Sequence, residues 1–270
     1  MNNFWQRSIT GVLFVLVLVT SILFNYNSFA ALFLVIEILA LREFYILSSK
    51  SHSIPQKYYG SILGGLTFAS GYLWQLIDWG FYLTLLILPL FSFIFVFELY
   101  RNKKHPLLNI AITLLGIFYI SIPLTLLNHL AFLNGEYNGK IILGIFILIW
   151  LSDTGAYIFG VLFGKHKLFE RISPKKTWEG FFGGLLVSVA GAFLLTKYFD
   201  IFPLKVWGII ALIIVFFGTL GDLVESMFKR SLAIKDSGNI LPGHGGILDR
   251  FDSLLFVIPV IFTYLYFFVR

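Results

Sequence analysis

The sequence predicts an all-α integral membrane protein, a polytopic bundle of about nine transmembrane helices with a cytoplasmic N-terminus and the C-terminus outside. Three observations predict it. Of the 270 residues, 58% are apolar and 13% charged, where a soluble domain has about half and about a quarter, and the mean hydropathy is +0.88. The apolar residues gather into nine runs, each near the roughly 17–25 residues that a bilayer core requires. The basic residues then alternate between the two faces as nine spans would have them.

This composition excludes a soluble cytosolic domain and a disordered chain, since so few charged groups cannot cover a surface facing water. The absence of cysteine removes disulfides, thiolate metal sites and cysteine nucleophiles. The net charge of +6, from 20 Lys+Arg against 14 Asp+Glu, suits membrane phosphates or a polyanionic substrate rather than a nucleic acid.

The runs lie at about 8–24, 28–47, 58–77, 79–99, 107–132, 141–163, 181–198, 205–224 and 253–269. Arg7 before the first run and Ser28-Phe29-Ala30 after it resemble a cleaved leader, but a second apolar run from Phe29 to Leu41 follows at once, so a membrane hairpin is expected. Glu37 lies in the second span with Arg42 near enough to help neutralise it or its end of the helix, which reads as structural. Gly60-x3-Gly64 and Gly180-x3-Gly184 permit close helix approach and read as packing. With nine spans, Arg7, Arg42, Lys50, Lys57, Arg101, Lys103, Lys104, Lys165, Lys167, Arg171, Lys175, Lys176, Lys229, Arg230, Lys235 and Arg250 share one side, 16 of the 20 basic residues. That side is the cytoplasm by the positive-inside rule. No internal repeat or low-complexity linker divides the chain, so residues 1–270 are expected to form one membrane domain. Spans within 1–132 would precede a catalytic half, 141–270, that holds two long charged connections at 164–180 and 225–252. The short N-terminus points to a bacterial plasma membrane.

Carboxylates inside apolar runs mark the chemistry, because a charge there is expensive. Asp153 falls in the cytoplasmic half of the sixth span beside Ser152, and Asp222 near the cytoplasmic end of the eighth, after Gly218 and Gly221. A helix leaving the membrane places Asp222, Glu225 and Lys229 on one face. Glu225 and Lys229 alone also read as an i,i+4 surface pair. In the loop that follows, Gly243, Gly245 and Gly246 surround His244 and free the backbone to present N–H groups to an anion. Asp249 and Asp252 are hard oxygen ligands of the kind Mg²⁺ takes. One of them can cap the ninth span, but a loop this dense in charge and glycine exceeds what capping requires. The 164–180 loop carries Lys165, His166, Lys167, Ser173, Lys175 and Lys176. Gly160-x3-Gly164-Lys165-His166 is one residue short of a P-loop and lacks its Ser/Thr.

The chain resembles the phosphatidate cytidylyltransferase, or CDP-diacylglycerol synthase, family. The C-terminal pattern is matched by Ser226, Lys229, Arg230, Lys235, Asp236, Gly238, Pro242, His244-Gly245-Gly246, Asp249-Arg250 and Asp252, and a second block by Ser152 to Tyr157 and Ser173 to Thr177. Val161, Glu170 and Lys175 depart from the family's usual residues, all in or beside the 164–180 loop.

The resemblance implies transfer of the cytidylyl group of CTP to phosphatidate, giving CDP-diacylglycerol and pyrophosphate. It implies Mg²⁺ on Asp222 and Asp249, with a second cation left open, and a homodimer among membrane lipids. Asp222, Lys229 and Asp249 are the expected catalytic residues. Lys229, Arg230, Lys235 and Arg250 would neutralise phosphates, and Gly245 and Gly246 beside His244 would supply backbone donors. Ser152 and Asp153 would line the mouth for the phosphatidate head group, and Ser173, Lys176, Asp236 and Asp252 complete the substrate-binding set. Two rivals remain open. A secondary transporter should carry charges near the bilayer midplane on several helices. A CTP-dependent polyprenol kinase would transfer the γ-phosphate instead.

Overall fold

The computed structural model describes residues 3–234, 237, 238 and 245–269. The chain is an all-α membrane protein, with one small β-hairpin among the described residues. Six helices, Gly80–Arg101, Pro106–Ala131, Gly139–Phe163, Trp178–Phe199, Leu204–Ser231 and Leu248–Phe268, are long and apolar enough to cross a membrane. Large apolar side chains such as Leu99, Leu107 and Phe118 stand on the surface. In water such a surface would be a liability, whereas hydrocarbon solvates it.

Two compact units divide the chain, residues 1–132 with 232–251 and residues 133–231 with 252–270. The first unit contains α1 (Asn3–Phe24), α2 (Tyr26–Ser48), α3 (Lys57–Leu76), α4 (Gly80–Arg101), α5 (Pro106–Gly116), a π-helical stretch (Ile117–Ser121) and α6 (Ile122–Ala131). The break expected between the first two runs falls at Asn25. Its side chain accepts from Ser28 N at 2.8 Å while Asn25 N donates to Ser28 Oγ at 3.2 Å, a reciprocal cap that starts α2 afresh. Gly60 and Gly116 lie against the Tyr45 ring, whose hydroxyl donates to Thr113 O at 2.8 Å. Gly64 approaches Leu41 and Ser121, so Gly60-x3-Gly64 is the packing element its spacing suggests. Glu37 is fully buried and faces Ser121. The Arg42 neighbour expected to neutralise it is exposed, and among the described residues Glu37 makes no ion pair. Glu98, also buried, accepts from Gln56 Nε2, Asn109 Nδ2 and Arg101 at 2.9, 2.7 and 2.6 Å. A buried carboxylate satisfied this fully welds α4 to α5 and the loop before α3.

The second unit contains α7 (Gly139–Phe163), β1 (Lys167–Phe169), β2 (Ser173–Thr177), α8 (Trp178–Phe199) and α9 (Leu204–Ser231). The last helix, α10 (Leu248–Phe268), starts in the first unit and runs on into the second. Small residues set how α7 meets α8. A Cβ on Gly155 would lie 2.8 Å from Gly183 O, one on Gly180 2.7 Å from Ala156 O, and one on Gly184 2.8 Å from Ser152 O. Backbones this close are what Gly180-x3-Gly184 permits. Trp207 of α9 is fully buried with its ring over Gly144 of α7.

The β1–β2 hairpin departs from an all-helical reading. β1 and β2 pair antiparallel, with Lys167 opposite Thr177 and Phe169 opposite Ser173. Trp178 N donates to His166 O at 2.9 Å, and Thr177 Oγ1 caps α8 by accepting from Gly180 N at 3.1 Å. The basic sequence between two spans carries no period-2 apolar signal, so periodicity could not mark it as strand.

Candidate active site

In the second unit the glycines of α9 decide where the acids meet. A Cβ on Gly221 would sit 2.7 Å from Asp252 O of α10, and Ser253 Oγ donates to Gly218 O at 3.2 Å. With no side chains between them, α9 and α10 touch along this seam. Carboxylate oxygens of Asp222 and Glu225, one turn apart on α9, and of Asp252 on α10 then all lie within 4.8 Å of one another. Asp222 and Asp252 are half-buried and Glu225 is 1% exposed.

Two lysines oppose this negative charge. Lys176, projecting from β2, forms an ion pair with Asp222, and both side chains are half-buried. Lys229 Nζ lies 2.5 Å from Glu225 Oε2, one turn along α9. Its side chain is 15% exposed, so this is no solvated surface pair. Ser226 Oγ adds a donor to Asp222 Oδ1 at 3.3 Å. Asp153 of α7 lies close enough for its charge to act on Asp252, as do Asp222 and Lys176. Asp222, Glu225 and Asp252, with Asp153 near, outnumber the two ammonium groups, in a partly buried setting where like charges repel strongly. A hard divalent cation is the natural complement of such an all-oxygen group.

Of the residues expected from the sequence, the second unit thus gathers Asp153, Lys176, Asp222, Lys229 and Asp252. Ser152 is buried in the α7–α8 seam, Ser173 is half-buried at the start of β2, and Arg230 is exposed at the end of α9. Glu225, which the sequence placed on one helix face with Asp222 and Lys229 but which was not among the expected site residues, joins the acidic group. The i,i+3 spacing from Asp222 was its signal. His166 serves structure, with Nδ1 2.6 Å from Glu179 Oε1, while Glu179 also accepts from Lys165 N at 3.1 Å.

In the first unit, Asp249 Oδ2 accepts from Ser237 N at 3.0 Å and from Gly246 N at 2.9 Å. Both donors precede α10, so Asp249 ties the residues before the helix together and does not cap its first turn, the role expected of one of the two late aspartates. Gly245 has φ +83°, a left-handed conformation that side chains resist. Arg250 is exposed. Lys235, Asp236 and His244 lie outside the described residues.

The fold and the site define a polytopic membrane protein with an acidic, lysine-flanked centre suited to phosphate and divalent-cation chemistry. Residues 5–268 match the cytidylyltransferase family, and the chain belongs to it. It is similar to the phosphatidate cytidylyltransferases of Staphylococcus epidermidis, at 46% identity over 163 residues (59% of this chain, 60% of the relative), and of Staphylococcus aureus, at 47% over 163 residues (59% and 60%). The protein of that name from Staphylococcus haemolyticus is 44% identical over 188 residues (68% and 70%). In the first of these the matched stretch spans 60% of the relative's length.

Proposed function

We propose that this chain transfers the cytidylyl group of CTP to phosphatidate, releasing pyrophosphate and CDP-diacylglycerol for phospholipid synthesis. The observation that carries it is the half-buried acidic group of Asp222, Glu225 and Asp252 flanked by Lys176 and Lys229, in a chain whose similar relatives bear the name phosphatidate cytidylyltransferase.

The nucleophile is a phosphate oxygen of phosphatidate, already ionised near neutral pH, so no strong general base is needed. It forms a bond to the α-phosphorus of CTP as the bond from that phosphorus to the bridging oxygen breaks, and pyrophosphate leaves with the electron pair. The barrier is electrostatic, since two polyanions must meet and charge grows on the leaving group. Lys229, Arg230 and Lys176 neutralise phosphate oxygens in this proposal, and Ser152, Asp153 and Ser173 receive the lipid head group. Asp222, Glu225 and Asp252 would hold Mg²⁺, which supplies Lewis-acid stabilisation of phosphate charge when bound. Asp249 is added as a ligand on the family resemblance alone. Lys235, Asp236, His244, Gly245, Gly246 and Arg250 are assigned to substrate phosphates on the same ground.

The proposal includes nine spans, with the active-site loops facing the cytoplasm across a bacterial plasma membrane, supported by the 16 basic residues that share one side. It also includes the homodimer implied by the family. Purified protein in detergent, given phosphatidate and CTP labelled at either the α or the γ position, tests the reaction. Label from the α position should enter lipid, and label from the γ position should leave as pyrophosphate. Lipid labelled from the γ position would make the protein a kinase and overturn the reading.

A further inference from the structure

Glu43 stands near the end of α2 and is 4% exposed, yet no cation neutralises it among the ion pairs of the described residues. Its Oε2 accepts from Leu248 N at 2.8 Å, a bond that spans 205 residues of chain. Leu248 opens α10, where first-turn N–H groups have no partner within the helix. The residue before it, Ile247, has no acceptor side chain with which to cap that end. Ser237 and Ile247 also face the carboxylate. A Cβ on Gly238 or on Gly246 would collide with Glu43, so both glycines are required by its presence. Asp249 closes the same junction by accepting from Ser237 N and Gly246 N. The two described ends of the segment 237–246 therefore meet at one buried carboxylate from the N-terminal helices.

A buried carboxylate carries a desolvation cost of several kcal/mol, and a local Ser or Asp would cap α10 with far less. Asp249 already joins the two ends to each other; what no residue local to α10 could do is tie them to α2. We propose that Glu43 is a positioning residue for cytidylyl transfer: it holds Ser237 and Gly238 against Gly246 and the start of α10, and so fixes where Gly245 and Arg250 of that junction meet the nucleotide phosphates. The proposal rests on the cytidylyl-transfer reading and gives the N-terminal helices a part in the chemistry.

The experiment compares wild type with Glu43→Gln, Glu43→Asp and Glu43→Ala in detergent, measuring kcat, the KM for CTP and the KM for phosphatidate. It also follows amide hydrogen exchange along residues 237–248. Glu43→Gln keeps an acceptor for Leu248 N–H and should retain most activity. Glu43→Ala should lower kcat/KM for CTP on the order of a hundredfold, leave the phosphatidate KM within about twofold, and speed exchange selectively in 237–248. A purely structural residue would instead reduce the amount of folded enzyme and leave both KM values unchanged, and that result overturns the proposal. Should Glu43→Ala not accumulate, Gly238→Ala tests the same contact, because the three atoms nearest the Cβ it adds all belong to Glu43. Its defect should be relieved when combined with Glu43→Asp, and independence of the two substitutions also overturns the proposal. A wild type that fails to transfer cytidylate would sink the reaction reading, while the exchange data would still decide whether Glu43 holds the loop.

Discussion

Lys176 of β2 is ion-paired with Asp222 of α9, so the basic hairpin reaches into the acidic group instead of merely facing the membrane surface. A flexible loop could obey the positive-inside rule, but a strand fixed by Trp178 N to His166 O and by the Thr177 cap aims one lysine at one carboxylate.

If Lys176 and a divalent cation share Asp222, they compete for its charge. Lys176→Ala is then expected to lower the Mg²⁺ concentration needed for half-maximal activity, while turnover falls about tenfold or more as phosphate neutralisation is lost. The pair is partly solvated, so thermal stability should change by no more than about 1 kcal/mol. A Mg²⁺ titration of activity checks this, and an unchanged midpoint would show that Lys176 and the cation do not share a ligand.

Lys229 is bonded to a carboxylate that is almost wholly buried. Lys229→Ala should cost a hundred- to a thousandfold in rate, or about 3–4 kcal/mol. It should also lower stability, because an uncompensated buried charge costs about 3–5 kcal/mol. Adding Glu225→Gln should restore abundance in the membrane and not activity. Lys229→Arg keeps the charge in a wider planar group and should rescue only in part. Near-wild-type turnover of Lys229→Ala in washed membranes would remove this residue from the active site.

Asp249→Asn keeps the volume and one acceptor for the Ser237 and Gly246 N–H groups. If Asp249 is a metal ligand as proposed, protein abundance should therefore hold while turnover nearly vanishes with the loss of that charge. The readouts are activity against Mg²⁺ concentration and the amount of protein in the membrane. If activity and Mg²⁺ dependence both match wild type, Asp249 only braces the loop.

Topology is open to direct measurement. Reporters fused after Lys104, Lys176 and Lys235 should report the cytoplasm, and fusions after Lys140 and Arg270 the opposite side. A cytoplasmic C-terminus would break the nine-span arrangement.

The sequence by itself determined that the chain is helical and lives in a membrane, because apolar run length is a local property that needs no partner to be read. It marked Asp153 and Asp222, because charge inside an apolar run is costly wherever the run packs, Lys229 by the helix face it shares with Asp222, and Asp249 and Asp252 as hard oxygen ligands in a loop dense in glycine and charge. It also placed Glu225 one turn from Asp222, since helix periodicity fixes neighbours along a single helix. Only the tertiary structure decided that Glu225 is buried with Asp222 and Asp252, which required Gly218 and Gly221 to let α10 approach α9. It alone gave Lys176 its partner, and it alone brought Glu43 to Leu248 across 205 residues. Contacts between elements depend on which backbones can come close, and that is settled by packing over the whole chain, where no local spacing records it.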